Sequence, residues 1–313
     1  MIIVCGEALI DLMPRGADTW RAIPGGGPTN AAVALTRLGV DAPLMCRLSR
    51  DTFGRQLRDY LTGHGVDLRL AVDAEEPTTL AVVGFSESGS ADYSFYLRGT
   101  ADWQWTPAEF PDTSVNPRAI YTGTLAAVMP PGAHHLRAWT HARRNRSVVC
   151  YDLNARPSLW PDRVTLMAAV TPWLDTTHVL KVSEEDVAFL APGREPLDVV
   201  ADWARDHAID LVLLTRGADG AVAYVPGRSP VRHGGFVVDV VDTVGAGDTF
   251  GAAALARLDT LGYLAEPGNL STLTDADLAD TLRFASAAAA VACTGAGARP
   301  PRPDEIQALL AAS

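Results

Sequence analysis

The chain has 313 residues, 48% of them hydrophobic and 20% charged, which is enough to bury a large core. A formal net charge of −11 and the lack of a basic run argue against a nucleic-acid or anionic-membrane surface. The four cysteines have no zinc-binding spacing, and no apolar run approaches the ~20 residues of a membrane span. The composition predicts a cytoplasmic protein with no nucleic-acid and no membrane partner.

The first predicted strand covers residues 2–10 and is followed by Asp11. In doubly wound folds ligands bind outside the carboxyl ends of the strands, so Asp11 is placed to bind polar substrate groups. A solvated acid at a strand end explains this segment equally well.

A polar passage at residues 14–24 leads into a glycine-rich helix entry and a predicted helix at 31–38. Gly25 and Gly26 allow the backbone to approach a ligand closely, and the Asn30 amide can donate to and accept from hydroxyls. On its own, the segment is better explained as a capped helix start.

The segments at 78–85 and 93–97 predict a hairpin with its turn at 87–90, and no helix separates them. Elsewhere strands and helices alternate, which favours an α/β fold with a doubly wound, mostly parallel sheet flanked by helices. Further predicted strands cover 42–48, 120–123, 148–153, 179–182, 211–215, 221–225 and 235–241, and predicted helices cover 53–64, 134–144, 199–207, 250–261, 274–292 and 304–312.

The most informative stretch is residues 242–250, where a run of strand formers enters a glycine turn that opens a helix. Such a turn directs several backbone N–H groups at one point, and the helix dipole adds partial positive charge there, which suits a phosphate. Asp248 falls in the first helical turn, where a general base can take a proton from an attacking hydroxyl. A simple helix cap accounts for Asp248 about as well.

Polar groups follow three other predicted strands. Asp152, Asn154 and Arg156 alternate along an extended segment and can share a face, from which Arg156 can steady a transferring phosphoryl group. The acids after Lys181, the only lysine in the sequence, suit a hydrated Mg²⁺. Leu180 before this lysine excludes the Gly-Lys pair of a P-loop ATPase.

Two of these groups have plain structural explanations as well. Ser183 and Asp186 have the spacing of a capping box. The turn at residues 215–220 is suited to nucleotide phosphates and equally to an ordinary connection.

The order and placement of these groups resemble the ribokinase-like (PfkB) carbohydrate kinases over nearly the whole chain. Gly25-Gly26-x-x-x-Asn30-x-Ala32 is similar to the first family signature, and Asp242-Thr243-x-Gly245-Ala246-Gly247-Asp248 is similar to the second, more specific one. The resemblance implies one kinase domain spanning residues 1–313, with a small β-sheet lid formed by segments at about 12–24 and 76–102.

The resemblance also implies roles for individual residues, with ATP and Mg²⁺ as cofactors. In many members a monovalent cation such as K⁺ lies beside the anion hole, held by residues like Asp242 and the loop at 293–297; whether this chain needs one is open. The implied set is Asp248 as base with Gly245, Ala246 and Gly247 as anion hole; Asp11, Gly25, Gly26, Asn30, Tyr96, Arg98 and Arg156 for the sugar; Ser183, Thr215, Gly217 and Gly220 for the nucleotide; and Asp186 for Mg²⁺ through water.

Two departures affect the finer interpretation. Ser183 and Asp186 stand where the family has Asn and Glu, which shortens the reach toward Mg²⁺. The residues around Arg156 and the stretch at 100–102 are similar to fructokinases, whereas 2-keto-3-deoxygluconate kinases tend to place an arginine directly after the lid tyrosine. Here Leu97 follows that tyrosine, so a neutral sugar, fructose, is favoured over a sugar acid.

Membership in another class of protein would account for fewer of these sequence features. A nicotinamide-dependent oxidoreductase needs Gly-x-Gly-x-x-Gly after the first strand, and the segment at 5–9 has one glycine. A non-catalytic sugar-binding protein has no reason to combine Asp248 with the glycine turn. An exposed lid edge can pair with a second subunit, so a homodimer is an expectation.

Overall fold

The computed structural model describes residues 1–16, 18–85 and 91–312. The strands are β1 Ile2–Cys5, β2 Leu9–Pro14, β3 Trp20–Gly25, β4 Leu44–Met45, β5 Arg47–Ser49, β6 Val72–Ala74, β7 Leu80–Phe85, β8 Ala91–Tyr96, β9 Ala119–Gly123, β10 Val148–Asp152, β11 Val179–Ser183, β12 Leu211–Thr215, β13 Ala221–Tyr224 and β14 Val231–His233. The helices are α1 Gly27–Arg37, α2 Thr52–Gly63, α3 Thr124–Val128, α4 Gly132–His141, α5 Arg163–Leu174, α6 Glu184–Leu190, α7 Pro196–Asp206, α8 Ala246–Thr260, α9 Asp275–Ala292 and α10 Pro303–Ala311.

Eight strands form the main sheet in the order β14-β13-β12-β11-β10-β9-β1-β4. Neighbours from β4 to β12 run parallel, and the two strands at the other edge are antiparallel. This confirms the predicted mostly parallel sheet. Its carboxyl ends lie along one edge, where the loops after β9, β10, β11 and β12 come together.

Successive side chains along each strand point to opposite faces of the sheet and so contribute to two separate hydrophobic cores. Ile2 and Val4 of β1 pack on one face beneath α1, α8 and α9. Ile3 and Cys5 pack on the other face with residues of α3 to α7. Because helices cover both faces, the doubly wound interpretation is confirmed.

A second sheet, β3-β2-β7-β8, forms the predicted lid. The polar passage at 14–24 is therefore largely a hairpin of β2 and β3, and the predicted hairpin near 78–97 is β7 with β8. The turn predicted at 87–90 lies outside the described residues. Within the described chain β8 has a single neighbour, β7. Pairing of that edge with a second subunit stays a prediction.

Two predicted strands were wrong in detail. The segment 2–10 is two strands in different sheets, because the chain leaves the core at Gly6, which has φ 155°, and enters the lid at Leu9. The run at 235–241 is extended but joins no ladder, and Val237 is fully exposed. Helix α1 also begins at Gly27, four residues earlier than predicted, so Asn30 lies inside it.

The connections between core and lid meet at one buried acid, Asp102, which is 2% exposed. Its Oδ1 accepts a hydrogen bond from the Ala8 N–H (2.9 Å), on the segment that enters the lid. The Thr79 and Thr100 hydroxyls lie 2.6 Å apart beside it, on segments that enter and leave the lid. Burial raises the pKa of Asp102 from 3.8 to about 7, opposed by hydrogen bonds from Thr79 and the Ala8 N–H.

We expect Asp102→Asn to change how stability depends on pH. The native pKa of Asp102 lies above the unfolded value, so the folded protein binds the proton more tightly than the unfolded chain. The contribution of Asp102 to the free energy of unfolding therefore falls as pH rises from about 4 to about 7. Relative to the variant, the wild type should therefore gain about 2 kcal/mol between pH 7 and pH 5.5. Urea unfolding across that range measures the difference, with the exposed Asp59→Asn as control. A difference that is constant with pH would contradict this assignment.

Candidate active site

The glycine turn before α8 has the geometry of an anion site. Gly245 caps the helix with φ 76°, and a Cβ there would lie 2.8 Å from the Ala298 Cβ, so only glycine fits without a shift. The Ala246 N–H closes the turn on the Thr243 carbonyl (3.2 Å). The first N–H groups of a helix have no partner within it and carry partial positive charge. The turn can therefore bind a phosphoryl group.

Asp248 is the third residue of α8 and is 8% exposed. Its Oδ2 accepts a hydrogen bond from Asn30 Nδ2 at 2.8 Å, and its Oδ1 lies 3.5 Å from Asn154 Nδ2. A Cβ on Gly27 would approach the same oxygen at 3.1 Å. Two amides from separate elements thus orient this carboxylate, and it does not cap its helix, since α8 has no side-chain cap. Gly27 is a residue that the sequence prediction did not include in the site, whereas Asn154 was predicted there only as one of three polar residues on a shared face.

Asp11 reaches the same region from lid strand β2. A Cβ on Gly25 would fall 2.2 Å from Asp11 Oδ2, so the glycine leaves room for this carboxylate. Burial raises the pKa of Asp11 to about 6; the Arg156 charge lowers it, and the Asp248 charge raises it. Asp11, Arg156 and Asp248 are therefore within electrostatic reach of one another.

Gly26 and Asn30 complete the entry to α1. Gly26 has φ 110°, and a Cβ there would lie 2.6 Å from the Glu7 carbonyl oxygen. The Asn30 Oδ1 is buried without a hydrogen-bond partner among the described residues. An acceptor of this kind beside Asp248 is available to a substrate hydroxyl.

The segment after β10 divides between the site and the core. Arg156 Nη1 donates to Asn154 Oδ1 (2.5 Å), which orients the amide toward Asp248. Asp152, expected on the same face, instead ends β10 at 1% exposure and pairs with Lys181 (3.0 Å). The prediction of a shared face was wrong because the strand ends at Asp152 and the chain turns at Asn154, which has φ 39°.

The register of the lid also corrects the expected sugar contact of Tyr96. Asp11 pairs with Ala81, which pairs with Phe95, so these three side chains share one face. Tyr96 pairs with Leu80 and lies on the opposite face, 61% exposed. Phe95 therefore replaces it as a lid residue on the Asp11 side.

Arg98 follows the end of β8 and is exposed. It lines an open cavity of about 860 Å³ between the lid edge and the residues after α3. Asp11 and Asp248 are not among the described residues that line this cavity. The structure places Arg98 in one cavity with Phe95 and Tyr96, and Asp11 and Asp248 do not line it.

A cavity of about 290 Å³ adjoins the anion site, and Asp11 is not among its described lining residues. The run at 235–241 explains its apolar wall, because Phe236, Val238 and Val240 alternate into the cavity while the intervening Val237 faces out. Its lining brings together five predicted residues, namely Thr215, Gly217, Gly220, Ala246 and Gly247. An apolar slot that ends at an anion site suits the base and phosphates of a nucleotide.

Ser183 and Asp186 are fully engaged in capping α6. Ser183 Oγ accepts from the Asp186 N–H (3.0 Å), and Asp186 Oδ2 accepts from the Ser183 N–H (2.9 Å). Asp186 Oδ1 accepts from the Ala155 N–H (2.8 Å), which ties this cap to the segment of Arg156. With 7% exposure, Asp186 fits Mg²⁺ only through an intervening water.

The loop predicted to hold a monovalent cation is closed by Asp242. Its Oδ1 accepts from the Val244 N–H (3.0 Å) and its Oδ2 from the Gly297 N–H (2.8 Å). The Cys293 carbonyl accepts from the Val241 N–H (2.8 Å). The two predicted loops are therefore joined beside the anion site, and they offer oxygen atoms of the type that such a cation binds.

A carboxylate at a helix N-terminus, between a polar pocket and a nucleotide-sized cavity, is the arrangement of a small-molecule kinase. The model of the pfkB family carbohydrate kinases matches residues 1–305. The chain belongs to this family and is an ATP-dependent carbohydrate kinase.

Individual relatives agree with this family. A fructokinase of Rhizobium leguminosarum bv. trifolii is 34% identical over 82% of this chain and 79% of the relative. The structure of a fructokinase with bound ATP from Xylella fastidiosa has a TM-score of 0.90 and 27% identity, covering 99% of this chain and 98% of its own. A double-mutant fructokinase of Vibrio cholerae O395, in fructose, ADP and potassium ion bound form, has a TM-score of 0.84 and 27% identity, covering 99% and 97%. Among the described residues, no helix has the length and apolar character needed to cross a membrane.

Proposed function

We propose that the protein transfers the γ-phosphoryl group of ATP to a primary hydroxyl of fructose. The observation that carries this proposal is the position of Asp248. It stands at the N-terminus of α8, hydrogen-bonded to Asn30 at 2.8 Å, with Asp11 and Arg156 within electrostatic reach and the 290 Å³ cavity lined by the neighbouring Ala246 and Gly247. A hydroxyl bound beside Asp11 can thus face a phosphoryl group bound at the turn.

In this proposal each residue has a limited task. Asp11 and the unpartnered Asn30 oxygen accept hydrogen bonds from sugar hydroxyls and orient the acceptor oxygen. Asp248 receives the hydroxyl proton as the new bond forms. The N–H groups of Gly245 and Gly247 stabilise the negative charge that spreads over the transferring group, and the Ala246 N–H between them holds the turn closed on Thr243.

The lid and the metal ions have supporting tasks. Closure of the lid over the sugar excludes water and limits hydrolysis of ATP. Bound Mg²⁺ would neutralise phosphate charge, with Asp186 as an acceptor for a metal-bound water, and K⁺ would lie at the loop closed by Asp242. The potassium ion in the Vibrio cholerae O395 fructokinase supports the K⁺ part of the proposal.

Fructose is favoured over a sugar acid for two reasons. The fructokinase of Vibrio cholerae O395 has been crystallised with fructose. In this chain Tyr96 lies on the face opposite Asp11, and Arg98 lines a cavity whose described lining residues do not include Asp11, so the arginine near the lid tyrosine is not placed opposite a carboxylate bound beside Asp11. The guanidinium of Arg156 is close enough to lower the pKa of Asp11, so this charge already faces a carboxylate of the protein.

A substrate screen tests the function. We expect ADP release with fructose, at a kcat/KM at least about tenfold above that for ribose, 2-keto-3-deoxygluconate or nucleosides, because the unmatched polar groups of the site penalise the other acceptors. EDTA should abolish turnover, and replacing K⁺ by tetramethylammonium should lower it. Highest kcat/KM with 2-keto-3-deoxygluconate or a nucleoside would overturn the fructose assignment. Sugar binding without ADP release would overturn the kinase mechanism proposed for Asp248.

A further inference from the structure

The only lysine of the chain is buried in the middle of the main sheet. Lys181 lies on β11 with its side chain 5% exposed, and its Nζ is 3.0 Å from Asp152 Oδ1. The two residues are register partners on neighbouring strands. Asp152 Oδ2 in turn accepts a hydrogen bond from the Tyr121 hydroxyl at 2.9 Å. Three central strands thus present a connected polar group on the face that α8 covers.

This group lies against the first two turns of α8. A Cβ on Gly247 would be 3.1 Å from Lys181 Nζ, and a Cβ on Gly251 would be 3.0 Å from the Tyr121 hydroxyl. Residues four apart lie on one side of a helix, so the two glycines form the surface on which the polar tips rest. The ammonium group is therefore directly beneath the residue that precedes Asp248.

The charge state of the group follows from its neighbours. Burial lowers the pKa of Lys181, but the Asp152, Asp186 and Asp248 carboxylates outweigh it and raise the pKa above its usual value. Burial raises the pKa of Asp152 to about 6, opposed by Lys181, so the pair is ionised at neutral pH.

A cation at this place does not stabilise the helix. The N-terminus of a helix carries partial positive charge, so an ammonium group beside it is unfavourable. A buried ion pair also contributes less to stability than apolar residues of the same shape. The three carboxylates offset these costs, and a further negative charge bound at the turn at residues 245–248 would be attracted to the same ammonium group.

We propose that Lys181 is a positioning residue for phosphoryl transfer, whose ammonium group acts through the first turn of α8 to stabilise negative charge at the anion site. Asp152 and Tyr121 hold the ammonium against Gly247. The inference rests on the proposed function, because it assigns the lysine to the same reaction.

Three variants distinguish the effect of the Lys181 charge from the effect of breaking the Lys181–Asp152 ion pair. Lys181→Met keeps the length of the side chain and removes the charge, and we expect kcat to fall by about 10- to 100-fold, somewhat less than for loss of a direct donor. Asp152→Asn keeps the cation but weakens the contact that holds it against Gly247, so kcat should fall, by a smaller factor than in Lys181→Met. The double variant, which leaves no unpaired charge, should be as slow as Lys181→Met.

A merely structural role predicts a different pattern. Both single variants would then lose activity in step with their stability, and the double variant would recover; that result would overturn the proposal. A second readout does not require turnover. With fructose present, Lys181→Met should weaken binding of ADP plus aluminium fluoride, which mimics the transferring group, by about the same factor as kcat, and ADP alone by less than about threefold.

The outcome for the wild type keeps the two proposals apart. If the wild type releases no ADP with any sugar in the screen, the proposed function fails first. If the wild type is active and Lys181→Met has unchanged kcat and unchanged aluminium fluoride affinity, only the role of Lys181 is overturned. Should Lys181→Met fail to fold, the double variant carries the test through the same two measurements.

Discussion

Replacing Asp248 by Asn is expected to lower kcat by roughly 10²-fold or more, the usual contribution of a positioned general base. The amide keeps the size of the side chain and can still contact Asn30 and Asn154, but it cannot take the hydroxyl proton. The turn at Gly245 remains intact, so nucleotide binding should change little. Steady-state kinetics with saturating ATP and fructose measure the loss, and calorimetry measures ADP affinity.

The matched control is Asp198→Asn, an exposed acid in the first turn of α7. It shares the helix-terminal position of Asp248 but is outside the site, so its kcat should equal that of the wild type. An Asp248→Asn enzyme with a normal melting temperature and undiminished kcat would remove Asp248 from the role of base. The phosphate-binding role of the turn would remain open to its own test.

Asp11→Ala has the second largest expected effect, a loss of about 10²-fold or more in kcat/KM for the sugar. A hydrogen bond to a charged group contributes about 1.5–3 kcal/mol, and we assign this carboxylate two sugar hydroxyls. The KM for ATP should stay close to that of the wild type, because Asp11 is not among the described residues that line the nucleotide-sized cavity. Initial rates with each substrate varied in turn separate the two effects.

The titration of Asp11 gives the same residue a second signature. Its pKa of about 6 means that the carboxylate is ionised above that pH and protonated below it. Wild-type kcat/KM for the sugar should therefore fall as pH drops below about 6. The kcat/KM of the Asp11→Ala enzyme should not show this fall. The exposed Asp18→Ala, in the same lid hairpin, is the control. A sugar contact of Asp11 would be contradicted if Asp11→Ala lowered kcat/KM equally for the sugar and for ATP.

Much of the fold follows from local patterns in the sequence. Buried strands such as Leu211–Thr215 and helices such as Asp275–Ala292 carry their own apolar periodicity and end signals, and the structure has them where they were expected. The segment at 2–10 was predicted as one strand because both of its strands are apolar. The chain leaves the main sheet at Gly6 in order to join a second sheet, and no local pattern in the sequence indicates that second sheet. The run at 235–241 has strand-forming residues, but its partners are a cavity wall rather than another strand.

The candidate site divides in the same way. Asp248 and Asn30 could be found because glycines mark close backbone approach next to each of them. The face on which Tyr96 lies depends on register with β7, which no local pattern contains. Asp152, an acid at the end of a strand, looks in the sequence like a site residue. Its position beneath α8 is seen only in the structure, where it pairs with Lys181 on the neighbouring strand.

The burial of Lys181 has a chemical consequence. Apart from seven histidines, all other basic side chains are arginines, so the folded protein exposes no lysine amine to reagents that acylate primary amines. A dye or a solid support coupled in this way will therefore not attach to a side chain of the folded protein. Acylation of the one internal amine will then report loss of the folded state, since that nitrogen becomes accessible only when α8 leaves the sheet.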